Sequence, residues 1–295
     1  MIFDHKQKFL DEVKQRTDVR IMSQGEIERI QQIYLVMAKD VFDMFDAMGL
    51  KATLGGGSVL GAVRHKGFIP WDDDMDIHLP RKDFEKLKQV FDEYFHGKYI
   101  FRAPNHDPHS GYRCGKIENP KVQVWDVNSR SHGLMIDVFI IENLPDSSFV
   151  RILRGCRSEL LRIIAGLVFE YECSKNEERK NRHIRILRKT CLLAGWLFSF
   201  LHSERWYDIA DRVNQYPNED TEKVSIPSGR KHYFGEIYPR EWIMESIKMP
   251  FEGIMLPVPK GYDAYLKQLY GDYHILPPED QREHHYIYSI LFKDG

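Results

Sequence analysis

The chain has 295 residues, 42% of them hydrophobic and 29% charged, a composition that fits a folded soluble protein rather than a disordered one. Its formal charge is -2, so the basic excess of a nucleic-acid binder is missing and no nucleic-acid partner is expected; a small or membrane-bound acceptor fits better. The length admits one large domain or two small ones.

At the start, Met1-Ile2-Phe3-Asp4-His5-Lys6 places charges where a signal peptide needs an apolar stretch. Ser23-Gln24-Gly25-Glu26 then has the pattern of a capping box. Ile27, Ile30, Tyr34, Met37, Val41, Met44, Phe45 and Met48 recur at spacings of three and four until Gly49, which predicts a long helix. Lys51-Ala52-Thr53-Leu54 reads as a strand running into Gly55-Gly56-Gly57, with Ser58 placed to cap a short helix from Val59 to His65. Met75, Ile77 and Leu79 alternate with Asp74, Asp76 and His78, a strand with one greasy and one acidic face that ends at Pro80. Phe84, Leu87, Val90, Phe91 and Tyr94 mark another helix. Leu134, Ile136, Val138 and Ile140 form a second alternating strand, with Asp137 on its opposite face.

From Phe149 to about Tyr216 the character is helical, with arginines between apolar residues. Within it, Leu187 to Leu201 is too short to cross a bilayer and is expected to be a buried or interfacial helix. Aromatics, prolines and glycines dominate from Tyr233 onward, and this tail is expected to wrap back over the core. The implied organisation is a catalytic core over 20–145, a helical subdomain over 146–232 and a C-terminal segment over 233–295. Cys114, Cys156, Cys173 and Cys191 make no CxxC pair, so free thiols in a reducing cytoplasm are expected, with neither zinc nor disulfides.

The informative cluster is Trp71-Asp72-Asp73-Asp74-Met75-Asp76. On a strand, Asp72, Asp74 and Asp76 project from one face while Asp73 points the other way. At roughly 5 Å and an effective dielectric near 20, each like-charged pair costs about 3 kcal/mol. Such a group must take up protons or bind cations, and oxygen-only ligands point to Mg2+ or Mn2+ rather than zinc. A solvated acidic turn is the plainer alternative, weakened by the apolar residues that alternate with the aspartates. An EF-hand loop counted from Asp72 fails, because its sixth position holds Ile77 and its twelfth Asp83. Asp137 is the natural further ligand or base. Gly56, Gly57 and Ser58, at a helix start, can offer backbone N–H groups to a phosphate, although the run matches neither a Walker nor a Rossmann pattern.

Glycine-glycine-serine, a short helix, paired aspartates on a strand and a later aspartate together resemble the nucleotidyltransferase fold. More narrowly, the run from Leu54-Gly55-Gly56-Gly57-Ser58 through Trp71-Asp72-Asp73-Asp74-Met75-Asp76-Ile77 resembles the LicD family of bacterial phosphocholine transferases, relatives of the fukutin-type ribitol-phosphate transferases. Pro250-Phe251-Glu252-Gly253, Tyr270-Gly271-Asp272-Tyr273 and Leu276-Pro277-Pro278 before His284-His285 are similar as well. Ser58 stands where threonine is frequent, and His78 stands where a small residue is common and would alter the substrate pocket.

The resemblance implies an α/β (α+β) protein: a nucleotidyltransferase-like mixed sheet with a helical subdomain and a wrapping C-terminal segment. It implies transfer of a phosphoryl-alcohol group, phosphocholine first, from CDP-choline or a similar CDP-alcohol to a sugar hydroxyl of a cell-surface glycan or its lipid-linked precursor. Metals would be held by Asp74, Asp76 and Asp137, with Asp72 as a further ligand or support and Asp73 as a structural residue. Asp137 would take the acceptor's proton, and Gly56, Gly57 and Ser58 would hold donor phosphate. Arg64 and, less directly, Lys116 are the candidate phosphate cations. Arg282, His284 and His285 are further contacts to weigh, and Trp71, Trp125 and Trp242 could contribute to an aromatic cage for choline. A nucleotidyltransferase using a triphosphate and a non-catalytic glycan-assembly scaffold are the rival readings. The expected place is the cytoplasm or the inner face of the membrane, where arginine-rich helices near Arg151 to Arg188 would allow a peripheral contact.

Overall fold

A computed structural model describes residues 16–106, 111–127, 130–176 and 186–293 of the chain. Met1–Lys6 and part of the arginine-rich stretch lie outside the described residues. Strand β1 (Arg20–Ile21) leads into helix α1 (Gln24–Met48). The capping box forms: Ser23 Oγ accepts the Glu26 N–H at 3.4 Å, and the Glu26 carboxylate accepts the Ser23 N–H at 2.8 Å. Gly49 closes the helix in the left-handed conformation, φ 64°. The positions picked out by periodicity are buried, with Met48 partly so at the end.

Next come β2 (Thr53–Leu54), α2 (Gly56–His65), β3 (Met75–Pro80), α3 (Arg81–Phe95), β4 (Ile100–Arg102), β5 (Gly115–Asp126) and β6 (Ser131–Asn143). Two local expectations change. Helix α2 begins at Gly56 with Gly55 as its cap, so Ser58 lies inside the first turn. The Ser58 hydroxyl instead accepts the N–H of Asp76 at 2.9 Å, fastening the helix to β3. Strand β3 begins only at Met75, so Asp72 and Asp74 approach it in a turn. The reason is hydrogen bonding: Asp72 N–H donates to the Ile69 carbonyl at 2.9 Å, and Gln31 of α1 donates to the carbonyls of Ile69 and Asp72. Those groups are therefore not available to a strand ladder.

The arginine-rich stretch forms α4 (Ser148–Asn176), α5 (Ile186–Phe198) and α6 (Ser203–Asn214). The remainder contains β7 (Lys223–Ser225), α7 (His232–Gly235), β8 (Ile237–Pro239), α8 (Arg240–Met244), the hairpin β9 (Ser246–Phe251) with β10 (Ile254–Pro259), α9 (Tyr262–Tyr270) and β11 (Tyr286–Phe292). The main sheet runs β1-β11-β5-β6-β3-β2, with β4 on β5 and the β7–β8 pair attached to β6. Only β3 and β6 are parallel neighbours among the described strands. This mixed sheet with helices is the expected α+β architecture.

Met75, Ile77 and Leu79 of β3 and Ile136, Val138 and Ile140 of β6 are buried in one large core. Phe251, Leu256, Val258, Tyr265, Leu266, Leu269 and Tyr273 of the C-terminal segment belong to the same core, and β11 adds a strand beside β5. Helices α4 to α6 enclose a smaller cluster of their own around Ile164, Ala165, Val168 and Trp206.

A buried ion triad joins these parts. Arg81, the first residue of α3, bonds Glu142 of β6 and reaches Asp211 of α6 at 2.5 Å. Burial pushes the Glu142 carboxyl up, and the Arg81 charge pulls against it. Removing only the cation leaves two buried carboxylates without compensation. Arg81→Met should therefore lower the unfolding free energy by about 3–5 kcal/mol, read from the midpoint of urea unfolding at neutral pH. Loss of under 1 kcal/mol would show that water already reaches the triad.

Candidate functional site

The parallel register of β3 and β6 sets Asp76 directly beside Asp137, and the antiparallel register of β5 and β6 sets Lys116 beside Asp137 on the other side. The row Asp76, Asp137, Lys116 thus crosses three adjacent strands, and Lys116 Nζ donates to Asp137 Oδ1. Asp72 and Asp74 arrive at the same place from the turn before β3. Burial raises the Asp72 and Asp76 carboxyls well above the ordinary range, and the charge of Asp74 adds to the effect on both. Asp74 is raised too, first by burial and also by Asp73 and Asp137, against the pull of His285. Burial opposes the charge on Lys116, yet Asp137 holds its ammonium above its ordinary value. The cluster is open to ligands, since the Asp74 side chain is 39% exposed and that of Asp137 23%.

The glycine run is shaped by these carboxylates. Gly56 has φ +44°, and a Cβ there would strike Asp76 Oδ2. A Cβ on Gly57 would come within 3.0 Å of Asp72 Oδ2. The N-terminus of α2, with its partial positive charge, therefore abuts the acids. Some of its donors are engaged: Gly55 N–H with the Asp76 carbonyl at 2.9 Å, and Gly56 N–H with the Tyr265 hydroxyl at 2.9 Å. Ser58 is buried, its oxygen taken by Asp76.

Arg64, near the end of α2, donates to the Tyr273 carbonyl at 2.8 Å. Burial lowers its pKa while the charge of Asp72 opposes that, so the guanidinium lies in the field of the cluster. His78, expected to modify the pocket, is buried beneath Gly55 with its ring edge-on to Phe139 and Tyr265. Burial drives its pKa down to about 3, which favours the neutral ring of a core residue packed under the glycine run. Trp71 is covered by the Arg282 guanidinium at 4.2 Å, and no ring contact joins it to Trp125 or Trp242 among the described residues.

Asp73 is structural in a way that sequence spacing does not reveal. Its buried carboxylate binds His285 twice, at 2.6 Å from Nδ1 and 3.2 Å from the backbone N–H. That hydrogen bond, with the charges of Asp74, Asp73 and Asp72, pushes His285 up to about 10, which favours the charged ring beside Asp73. Asp73, Asp74 and His285 bring ligand atoms within 4.8 Å of one another, so the imidazole is placed to offset the acids when protonated and to offer a nitrogen to a cation when neutral. Tyr34 and Tyr270 are further groups missed in the sequence. Burial raises both phenols, and the surrounding aspartates add to the rise. Helical periodicity marks Tyr34 only as core, and Tyr270 stands in a motif of the resemblance that gives it no role.

Residues 49–152 match the family model for the LicD/FKTN/FKRP nucleotidyltransferase domain. The chain carries a LicD-family domain. All four clustered carboxylates, the glycine run, Arg64 and Lys116 fall inside it, whereas His285, Tyr265, Tyr270 and Tyr273 reach the site from outside. Over 266 residues the chain is 29% identical to the lipopolysaccharide cholinephosphotransferase LicD of Haemophilus influenzae, covering 87% of this chain and 95% of that protein. A stretch of 53 residues is 40% identical to human ribitol 5-phosphate transferase FKRP, 18% of this chain and 11% of that one.

The LicD-family domain thus holds its acids together against their own repulsion. In chelator at neutral pH, Asp76→Asn should raise the melting temperature by a few degrees, since a raised carboxyl is one the fold disfavours in charged form. A drop of several degrees would refute the repulsive cluster. Gly56→Ala should instead destabilise by about 1–3 kcal/mol, through its backbone conformation and its contact with Asp76, as measured by chemical denaturation.

Proposed function

We propose that the protein is a metal-dependent phosphotransferase that moves phosphocholine from CDP-choline, or a similar CDP-alcohol, to a hydroxyl of a cell-surface glycan or its lipid-linked precursor. The observation that carries this reading is the row of Asp76 and Asp137 in register, with Asp72 and Asp74 beside it under the glycine N-terminus of α2. Similarity along most of the chain to a lipopolysaccharide cholinephosphotransferase supports the substrate class.

The donor set fits a hard divalent cation. Carboxylate oxygens dominate the donors, with His285 Nδ1 engaged by Asp73, their charge is strained by burial, and the site is open. Mg2+ or Mn2+ held by Asp72, Asp74, Asp76 and Asp137 would neutralise the donor diphosphate and the charge growing on the leaving oxygen.

The chain's own groups account for the rest. Lys116 occupies one oxygen of Asp137 and fixes the carboxylate, leaving the other oxygen to take the acceptor hydroxyl's proton. The acceptor oxygen bonds to the phosphorus of phosphocholine, the bond from that phosphorus to the CMP oxygen breaks, and CMP departs with its electron pair. The α2 N-terminus faces the donor phosphates with the Gly57 amide and the helix dipole. Arg64 faces the same charge from the end of the helix. His285 and Lys116 offset the acids, so that the site accepts an anionic diphosphate.

The test is a purified-protein assay with Mg2+, CDP-choline and lipopolysaccharide or a glycolipid as acceptor. CMP and phosphocholine-modified glycan should form in equal amounts, and chelation should stop both. Asp137→Asn and Asp76→Asn should each lower kcat by about 100-fold or more while the far-UV spectrum stays unchanged. Pyrophosphate released from a nucleoside triphosphate, with no CMP from CDP-choline, would point to nucleotidyl transfer instead. Full activity of folded Asp76→Asn would sink the metal site.

A further inference from the structure

Helix α5 is apolar on both of its sides. Gly195 is buried against the Leu167 carbonyl and Tyr171 of α4, which fixes the inward face. On the outward face Leu193, Trp196 and Leu197 follow at steps of three and one residues and are 63%, 57% and 63% exposed. Phe200, two residues past the helix end, is 72% exposed, with its ring edge-on to Trp206. A helix greasy all round normally lies inside a protein or a membrane, and among the described residues this one is covered on one side only. With α4, which exposes Phe149, Ile152, Leu153 and Leu160, it supplies much of the large exposed apolar surface of the chain.

The charge carried by α4 and α5 argues for the covering partner. Helices α4 and α5 carry seven Lys and Arg against three Glu, and α5 has no acid at all, in a chain whose total formal charge is -2. Arg157 and Lys189 are exposed on these two helices. A second copy of the chain would bring the same basic helix against itself and suffer like-charge repulsion. An anionic lipid surface meets both requirements, taking the apolar side chains below the headgroups and the cations at the phosphates. The helix lies on such a surface and does not cross it: 13 residues rise only about 20 Å, and no described helix is long and apolar enough to span a membrane.

We propose that the outward face of α5, Leu193, Trp196 and Leu197, with Phe200 just beyond its end, docks the protein on an anionic lipid bilayer. The inference stands apart from the transfer reaction, because it rests on the opposite chemistry in a different part of the fold. It would also bring the enzyme to a lipid-linked acceptor.

The experiment is sedimentation of the full chain with vesicles of phosphatidylcholine alone or with one-third phosphatidylglycerol. Binding to the anionic vesicles is expected, weaker by at least 10-fold on neutral ones and reduced by raised salt. Trp196→Ser with Leu197→Ser should lower binding by at least 10-fold, with melting temperature and CMP release in the soluble assay unchanged. Trp196 emission should shift to the blue on binding, read in a variant whose other tryptophans are replaced by Phe. Absence of binding to anionic vesicles at low salt would overturn the proposal. So would a concentration-dependent dimer that the double variant abolishes, which would make the face a contact between copies. Loss of CMP release with vesicle binding intact would count against the transfer reading alone.

Discussion

Two like charges set side by side by strand register are the constraint on which the site depends. Asp76 and Asp137 cannot avoid each other, because β3 and β6 are parallel neighbours and each aspartate is flanked by residues buried in the core. Moving either strand by one residue would send Asp76 or Asp137 into the core and a Met, Ile or Val out of it. The apolar face thus enforces the electrostatic strain of the polar face. Folding energy drawn from the core holds a geometry that the carboxylates themselves oppose.

The elements around the row relieve this strain in part. Lys116 comes from β5 on the far side of Asp137, and His285 from just before β11 reaches Asp73 and the field of Asp74. The start of α2 approaches so closely that Gly56 and Gly57 leave no room for side chains. Each of these supports also ties a distant part of the chain to the centre. Tyr265 holds Gly56, Arg64 holds the Tyr273 carbonyl and Asp73 holds His285. The C-terminal segment therefore completes a site whose acids all lie within the family domain.

A different logic governs the helical region. Its own small core and its buried triad with Arg81 anchor it to the sheet, yet α5 keeps a greasy outer face. The same chain presents concentrated negative charge in its cleft and basic, apolar surface on its helices. An anionic donor needs cations to enter the first, whereas an anionic bilayer matches the second directly. The two surfaces select different partners by charge alone.

Sequence by itself determined the elements whose periodicity is strict. Helix α1, with its capping box and Gly49, and the alternation in β3 and β6 were legible because their side-chain periods are set by burial on one face. Asp76 and Asp137 were legible for the same reason, since an aspartate flanked by buried apolar residues must face outward. Strand β5 was not legible, as Pro120 and the register shift between Asn119 and Gln123 break its alternation. The turn carrying Asp72 and Asp74 was mistaken for strand, because the hydrogen bonds from Gln31 that hold it come from another element. Only the tertiary structure decided that Lys116 meets Asp137, that His78 is core and that Asp73 binds His285 across 212 residues of chain. Those pairings depend on which strands lie side by side and on how the C-terminal segment packs, and neither leaves a local period in the sequence.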